Sequence, residues 1–321
     1  MEQQVVDVDW ECLSSLPEKR RLYSRDPHFR ESMWDARQAL GDEPFAVLHR
    51  VALLALKPES LAGRRVDSLL RFLDDHGFTP IHVESFAYTR HINRELWRYQ
   101  WNAATIEKMD LTDRINLALP TAILLLRDDG RPRELPTSVR LKALKGAALP
   151  ERRDPGSMRA ALEAPNRMLT FVHTADEPAD VARELGILFD RPERRAIFEA
   201  LEAKLSGDVT EQCRHLLEGL EARAPVADFD PERAWRRVTR SARRGVAAAL
   251  QRERDHYLES GVLDWWPFLS LAEKAGTDPW DVVAICAAVV EHQDVGYEPL
   301  IEFGAGVVDG WLTGRARLCS G

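Results

Sequence analysis

The residue around which chemistry in this chain can be organised is His173. It closes a short apolar run, Met168 to Val172, after which Thr174, Ala175, Asp176 and Glu177 turn into a helical pattern reaching Phe189. Pro178 stands just inside that helix start, where its missing N–H costs nothing because first-turn donors have no intrahelical acceptor. A histidine at the junction of a buried strand and a helix N-terminus lies near unpaired N–H groups and a positive dipole end. Those groups suit the handling of a phosphate. A lone histidine at a strand end also serves structural roles, so the elements that position it have to decide.

A chain of 321 residues is long enough for roughly two domains. Its 45% hydrophobic and 30% charged content places it among ordinary globular proteins and excludes disordered or membrane-embedded classes. No window approaches the ~20 apolar residues of a bilayer span. The acidic N-terminus lacks the basic and apolar regions of a secretory signal, so a cytoplasmic location is expected. Cys12, Cys213, Cys286 and Cys319 show neither CxxC nor Cys/His ligand spacing. The reading is reduced thiols, with no metal cage and no disulfide framework. A net charge of -8 speaks against general nucleic-acid binding.

Residues 1–45 read as an N-terminal helical extension without visible chemistry, released through the turn Gly41-Asp42-Glu43-Pro44. From Phe45 the run AVLHRVALLALKP is apolar and β-forming. A helix follows over Val66–Leu73, closed by Gly77. FTPIHVESFAYT alternates as a strand, Thr89–Trp101 and Thr105–Leu117 read as helices, and TAILLLR (121–127) reads as a buried strand. Ser138–Lys145 is a short basic helix stopped at Gly146, and a Pro/Arg-rich loop leads to the His173 strand and its helix. The order is βαββαβ with an extra helical pair after the second strand. That is the split βαβ arrangement, an antiparallel sheet with helices on one face, so the fold class is α+β.

Placed on these elements, the motifs resemble those of the nucleoside diphosphate kinases. Lys57-Pro58 ends the first strand, as a KP pair does in that family. Pro155-Gly156-Ser157-Met158-Arg159 stands where the family has PGTIR, and His173 stands where an NxxHGSDS segment carries the phosphorylated histidine. Glu184 follows His173 by eleven residues, the family's spacing. The resemblance covers about residues 46–200 and implies a ferredoxin-like domain there. It implies that His173 accepts the γ-phosphoryl of a nucleoside triphosphate, that Glu184 holds the imidazole tautomer, and that Lys57, Lys142 and Arg159 neutralise phosphate charge. It also implies Mg²⁺ arriving with ATP or another nucleoside triphosphate, and assembly as a homo-oligomer.

The chain departs from the family at supporting positions. Thr170 replaces the asparagine three residues before the histidine, Ala175 the serine two residues after it, and Ala148 the threonine beyond the glycine. Trp97 stands near the family's tyrosine, and no aromatic pair for a base lies between Trp101 and Leu117. The phosphate end of the site is better kept than the sugar and base end.

Residues 201–321 read as an all-helical domain. Pro231–Ser260 reads as one long helix interrupted at most by Gly245, with Arg233, Arg236, Arg237, Arg240, Arg243, Arg244, Arg252 and Arg254 as a basic stripe. The stripe is either a solvated face or a docking surface for an acidic protein or peptide partner. Gly306, Gly310 and Gly314 recur every four residues, as on a helix face made for close packing. His49, His76, His82 and His91 read as structural. The expected activity is phosphotransfer through His173. A catalytically degenerate nucleotide-binding or regulatory module, or a biosynthetic enzyme that has repurposed the cleft, stays open beside it.

Overall fold

The computed structural model describes residues 8–41, 44–130, 134–241, 244–302 and 306–319, with the side chains of 241 and 244 outside that description. Its centre is one four-stranded sheet. The strands are β1 (Val51–Leu56), β2 (Phe78–Phe86), β3 (Thr121–Asp128) and β4 (Val172–Thr174), in the spatial order β2-β3-β1-β4. All three pairings are antiparallel, with Leu53 opposite Leu125 and Ala55 opposite His173. Helices at Val66–Asp75 and Thr137–Lys145 connect the strands where a split βαβ requires them. The expected additional helices, Arg90–Leu96 with Arg98–Trp101 and Ile106–Asn116, fall between β2 and β3. The protein is therefore an α+β protein with the ferredoxin-like strand order.

Every residue of β1 is buried, because the sheet is covered on both faces. This corrects the expectation of helices on one face. Leu54, Leu56, Leu124 and Val172 belong to one apolar cluster, which continues through the helices Val66–Asp75 and Thr210–Arg223 to the helix Pro279–Val289. Leu53, Ala55, Ile123 and Leu125 belong to the other, with the helices Pro27–Leu40, Pro178–Leu188 and Arg191–Lys204. A VALLAL strand has no polar side and is stable only between two apolar layers. β2, at an edge, tolerates Pro80 and a register irregularity between Pro80 and His82.

Several local expectations change. Phe45–Leu48 is a helical turn, so the first strand begins only at Val51. Of the apolar run Met168–Val172, only Val172 joins β4, because Phe171 sits at φ 67°. Pro231–Ser241 and Arg244–Ser260 are two helices, the residues between them lying outside those described. Arg254 bonds Glu232 at 2.7 Å, whereas a continuous helix would separate them by about 33 Å. Gly306 and Gly314 lie at positive φ and flank the helix Val307–Leu312 rather than lining it. Only Gly310 makes a close approach, since a Cβ there would lie 2.5 Å from the Ser15 Cβ.

The cysteines depart most from the reading of free thiols. Cys12 and Cys319 form a disulfide across 307 positions, whereas Cys213 and Cys286 are free and buried. Sequence spacing cannot reveal a pair assembled from the two ends of a chain. Among the described residues, no helix is long and apolar enough to cross a membrane. Of the turn at 41–44, Asp42 and Glu43 lie outside the described residues, as does Arg243.

Candidate active site at His173

His173 pairs with Ala55 at the edge of the sheet, and its side chain is 16% exposed. Its Nε2 lies 2.9 Å from Oε1 of Glu184, on the helix Pro178–Leu188. Trp97 meets the imidazole edge-on, with ring centroids 5.4 Å apart. A carboxylate on Nε2 favours the tautomer with the proton there and leaves the Nδ1 lone pair unprotonated. The second oxygen of Glu184, Oε2, is buried without a hydrogen-bond partner among the described residues.

The cations named from sequence are near the ends of neighbouring elements, and each meets a group of the chain itself. Lys57 directly follows β1 and is buried. Its Nζ lies 2.7 Å from Glu59 and donates to the Met168 carbonyl at 3.1 Å. Glu59 is fully buried and also accepts the Phe171 N–H at 3.2 Å. Lys142 and Lys145, on the basic helix, converge on Asp176 at 3.5 and 2.8 Å. Arg159 donates to the Gly146 carbonyl at 3.0 Å and has no ion-pair partner among the described residues. Gly146 is at φ 84°, where a Cβ would lie 2.5 Å from that of Ser157, so a glycine is required for the basic helix to end against this loop.

Electrostatics follow from this crowding. Burial works against the Asp176 carboxylate, but Lys145, Lys142 and Lys19 overcome it and hold the group well below the ordinary carboxylate range. Burial lowers Lys145 to about 8, with Lys142 and Arg159 adding repulsion that Asp176 offsets only in part. Burial likewise brings Arg159 down to about 10, helped by Arg153.

The helix N-terminus beyond His173 is answered internally. Glu177 is its N-cap, and Asp180 accepts the Glu177 N–H at 2.9 Å in a capping box. Glu177 is fully buried and accepts from Ser14, Ser15, Lys19 and Trp311. Lys19 also bonds Asp180 at 2.5 Å. The anion-ready helix start expected from the sequence is thus filled by the chain's own carboxylates.

Glu59, Lys145, Asp176 and Glu177 were missed in the sequence as site residues. Asp176 and Glu177 directly precede Pro178, and Glu59 follows Lys57 by two, so their proximity was visible. Their function as internal counterions was not. Elsewhere, Nε2 of His49 contacts the Cys12 carbonyl at 2.5 Å, Nδ1 of His76 the Phe72 carbonyl at 2.8 Å, and Nδ1 of His82 the amine of Lys204 at 3.1 Å. A cluster of metal-ligand type among the described residues is Asp9 with Cys12 and Cys319, whose thiols form the disulfide.

The sheet order defines an α+β protein, and the histidine–glutamate pair marks its candidate site. No protein-family model and no curated protein matches the chain. Among solved structures it is similar to a nucleoside diphosphate kinase from Aquifex aeolicus, at 18% identity and a TM-score of 0.36, over 45% of this chain and 97% of that one. It is also similar to an NDP kinase from Pyrobaculum aerophilum, at 17% identity and a TM-score of 0.34, over the same shares. At these scores the overlap carries no argument about activity, and the fold assignment rests on the strand order itself.

Proposed function

We propose that the protein is a nucleotide-dependent phosphotransferase related to the nucleoside diphosphate kinases, with His173 as the phosphoryl carrier and the chemistry confined to residues 46–200. The Nδ1 lone pair attacks the γ-phosphorus of a nucleoside triphosphate. The bond from that phosphorus to the β–γ bridging oxygen breaks, and the diphosphate leaves with the electron pair. The phosphohistidine then transfers its phosphoryl group to an acceptor oxygen. Glu184 holds the Nε2 proton throughout and balances the positive charge the ring gains on attack. Lys142, Lys145 and Arg159 stabilise the equatorial phosphate oxygens.

The 2.9 Å contact between Glu184 and His173 carries this reading. Mg²⁺ bound to the nucleotide would supply further charge neutralisation. The lysine-rich surroundings of His173 suit an ion arriving on phosphates rather than one held by protein ligands.

Incubation with γ-labelled ATP and Mg²⁺ tests it. Acid-labile, base-stable label should appear on the parent and be absent from His173→Ala. An unlabelled parent, or equal label on the variant, overturns it. A second reading is a catalytically degenerate nucleotide-binding module, favoured by the pairing of Lys57 with Glu59 and of Lys145 with Asp176, which leaves less cationic charge for substrate. Calorimetric binding of ATP without any label would establish that reading in its place.

A further inference from the structure

We propose that a groove between the N-terminal helices and the helix Arg191–Lys204 docks an acidic peptide segment of a partner protein that carries aromatic or aliphatic side chains among its carboxylates. The groove has a volume of about 1350 Å³ and lies among the helices Pro17–Tyr23, Pro27–Leu40 and Arg191–Lys204. Its lining contains Arg20, Arg21, Arg25, Arg30, Arg191 and Arg194 against two carboxylates, Glu31 and Asp35. Asp35 is 1% exposed and already bound by Arg191 at 3.2 Å and by Arg194 at 2.6 Å. Arg20, Arg21, Arg25 and Arg30 are exposed and have no ion-pair partner among the described residues. On a chain of net charge -8, this is a concentrated basic patch.

Helix geometry makes the patch. Lys19 and Tyr23, four residues apart, share the face turned to Asp180, so Arg20 and Arg21 are left on the outside. On the next helix Phe29, Met33 and Ala36 are buried, and Arg30 and Trp34 share an exposed face. The floor is apolar: Trp10 stacks on Phe29 with centroids 5.0 Å apart, Met33 lies in the same lining, and Trp34 is 42% exposed. Tryptophan, methionine and arginine are the residues enriched at protein interfaces, and tryptophan and arginine dominate their binding energy.

Size and chemistry select the occupant. The groove exceeds the roughly 300–1,000 Å³ of small-molecule pockets, which suits a length of chain. A dense polyphosphate would leave the tryptophan floor unused and meet the exposed carboxylate of Glu31. Spaced peptide carboxylates can reach the guanidiniums while an apolar side chain between them covers Trp34.

The test uses the full chain without nucleotide, so its outcome is independent of the chemistry at His173. A phage-displayed random peptide library is panned on the protein, and the enriched peptide is synthesised with a fluorophore for anisotropy titration. Sequences rich in Asp and Glu with Trp, Phe or Leu are expected. Affinity should fall roughly tenfold or more in Arg21→Glu/Arg25→Glu, several-fold in Trp34→Ala, and with added salt. His173→Ala should bind as the parent does, and coincident thermal melts confirm that the variants are folded. Enrichment without acidic bias, no enrichment, or unchanged affinity in the double variant overturns the proposal. So does tight binding of inorganic tripolyphosphate with no peptide binding.

Discussion

The His173 region and the N-terminal groove are both rich in cations, and they differ in what answers those cations. Around His173 the lysines are paired, and all but the half-buried Lys142 are buried: Lys57 with Glu59, Lys142 and Lys145 with Asp176, and Lys19 with Glu177 and Asp180. In the groove, Arg20, Arg21, Arg25 and Arg30 are in solvent and meet no carboxylate among the described residues. Desolvation explains the contrast. Burying a bare ammonium costs several kcal/mol, so the chain must supply its own counterion. An exposed guanidinium stays hydrated and can wait for a ligand. An anion at His173 competes with built-in carboxylates, whereas one at the groove competes only with water and salt.

The largest effect should come from breaking the buried network. Glu177→Ala removes the acceptor of Lys19, Ser14, Ser15 and Trp311 together, and should cost about 3–5 kcal/mol in urea unfolding. A loss below about 1 kcal/mol would mean that these contacts do not hold the region together, and the contrast with the groove would fail.

Next in size is Glu184→Gln, which keeps the shape of the side chain but removes the charge opposite His173. Phosphohistidine labelling should slow by roughly 10–100-fold with the melting transition nearly unchanged. An unaltered rate would detach Glu184 from the proposed chemistry.

A pH series sharpens the comparison further. Lys145 has a folded pKa of about 8 against an ordinary 10.5, so its charge is present below about 8 and lost above it. ATP affinity at the His173 site should therefore weaken as pH rises through that value. Peptide affinity at the groove should stay level, because arginine remains charged across the range. The sign for stability is opposite. Between about 8 and 10.5 the unfolded chain binds more protons at this position, so Lys145 contributes increasing stability as pH rises through that window. Parallel calorimetry and anisotropy on either side of pH 8 would separate the two sites.

The smallest effect is expected at the arginine-rich helix that stood out in the sequence. Arg237 is held by Asp228 and Asp281 at 2.9 and 2.6 Å, Arg233 lies 3.3 Å from both Asp228 and Asp230, and Arg254 is paired with Glu232. Arg236→Glu/Arg240→Glu alters only exposed positions, and should move stability by about 0.5 kcal/mol or less and leave peptide binding at the groove intact. A tenfold loss of peptide affinity would transfer the docking role to this helix.

The same two regions show how far the sequence could be read. VALLAL and TAILLLR declare buried strands because unbroken apolar runs of that length have few other stable states. Their connections imply the antiparallel order that the structure contains. The pairing of His173 with Glu184 was implied only by the resemblance to the nucleoside diphosphate kinases, whose spacing of eleven residues the chain shares. The groove could not be read at all: Arg20, Arg30 and Arg194 lie on three helices and Arg25 in the turn between the first two, and nothing in the local pattern distinguishes them from solubility charges.

The sequence by itself determined the sheet, the strand–helix junction at His173 and the closing glycines Gly77 and Gly146, because periodicity and φ preference act over a few residues. Only the tertiary structure decided that both sheet faces are covered, that Cys12 meets Cys319, and that the basic helix folds back to pair Arg254 with Glu232. It also decided which cations find a carboxylate. Whether a charge is answered depends on burial and on groups brought together from opposite parts of the chain, and neither is a property of a short stretch of residues.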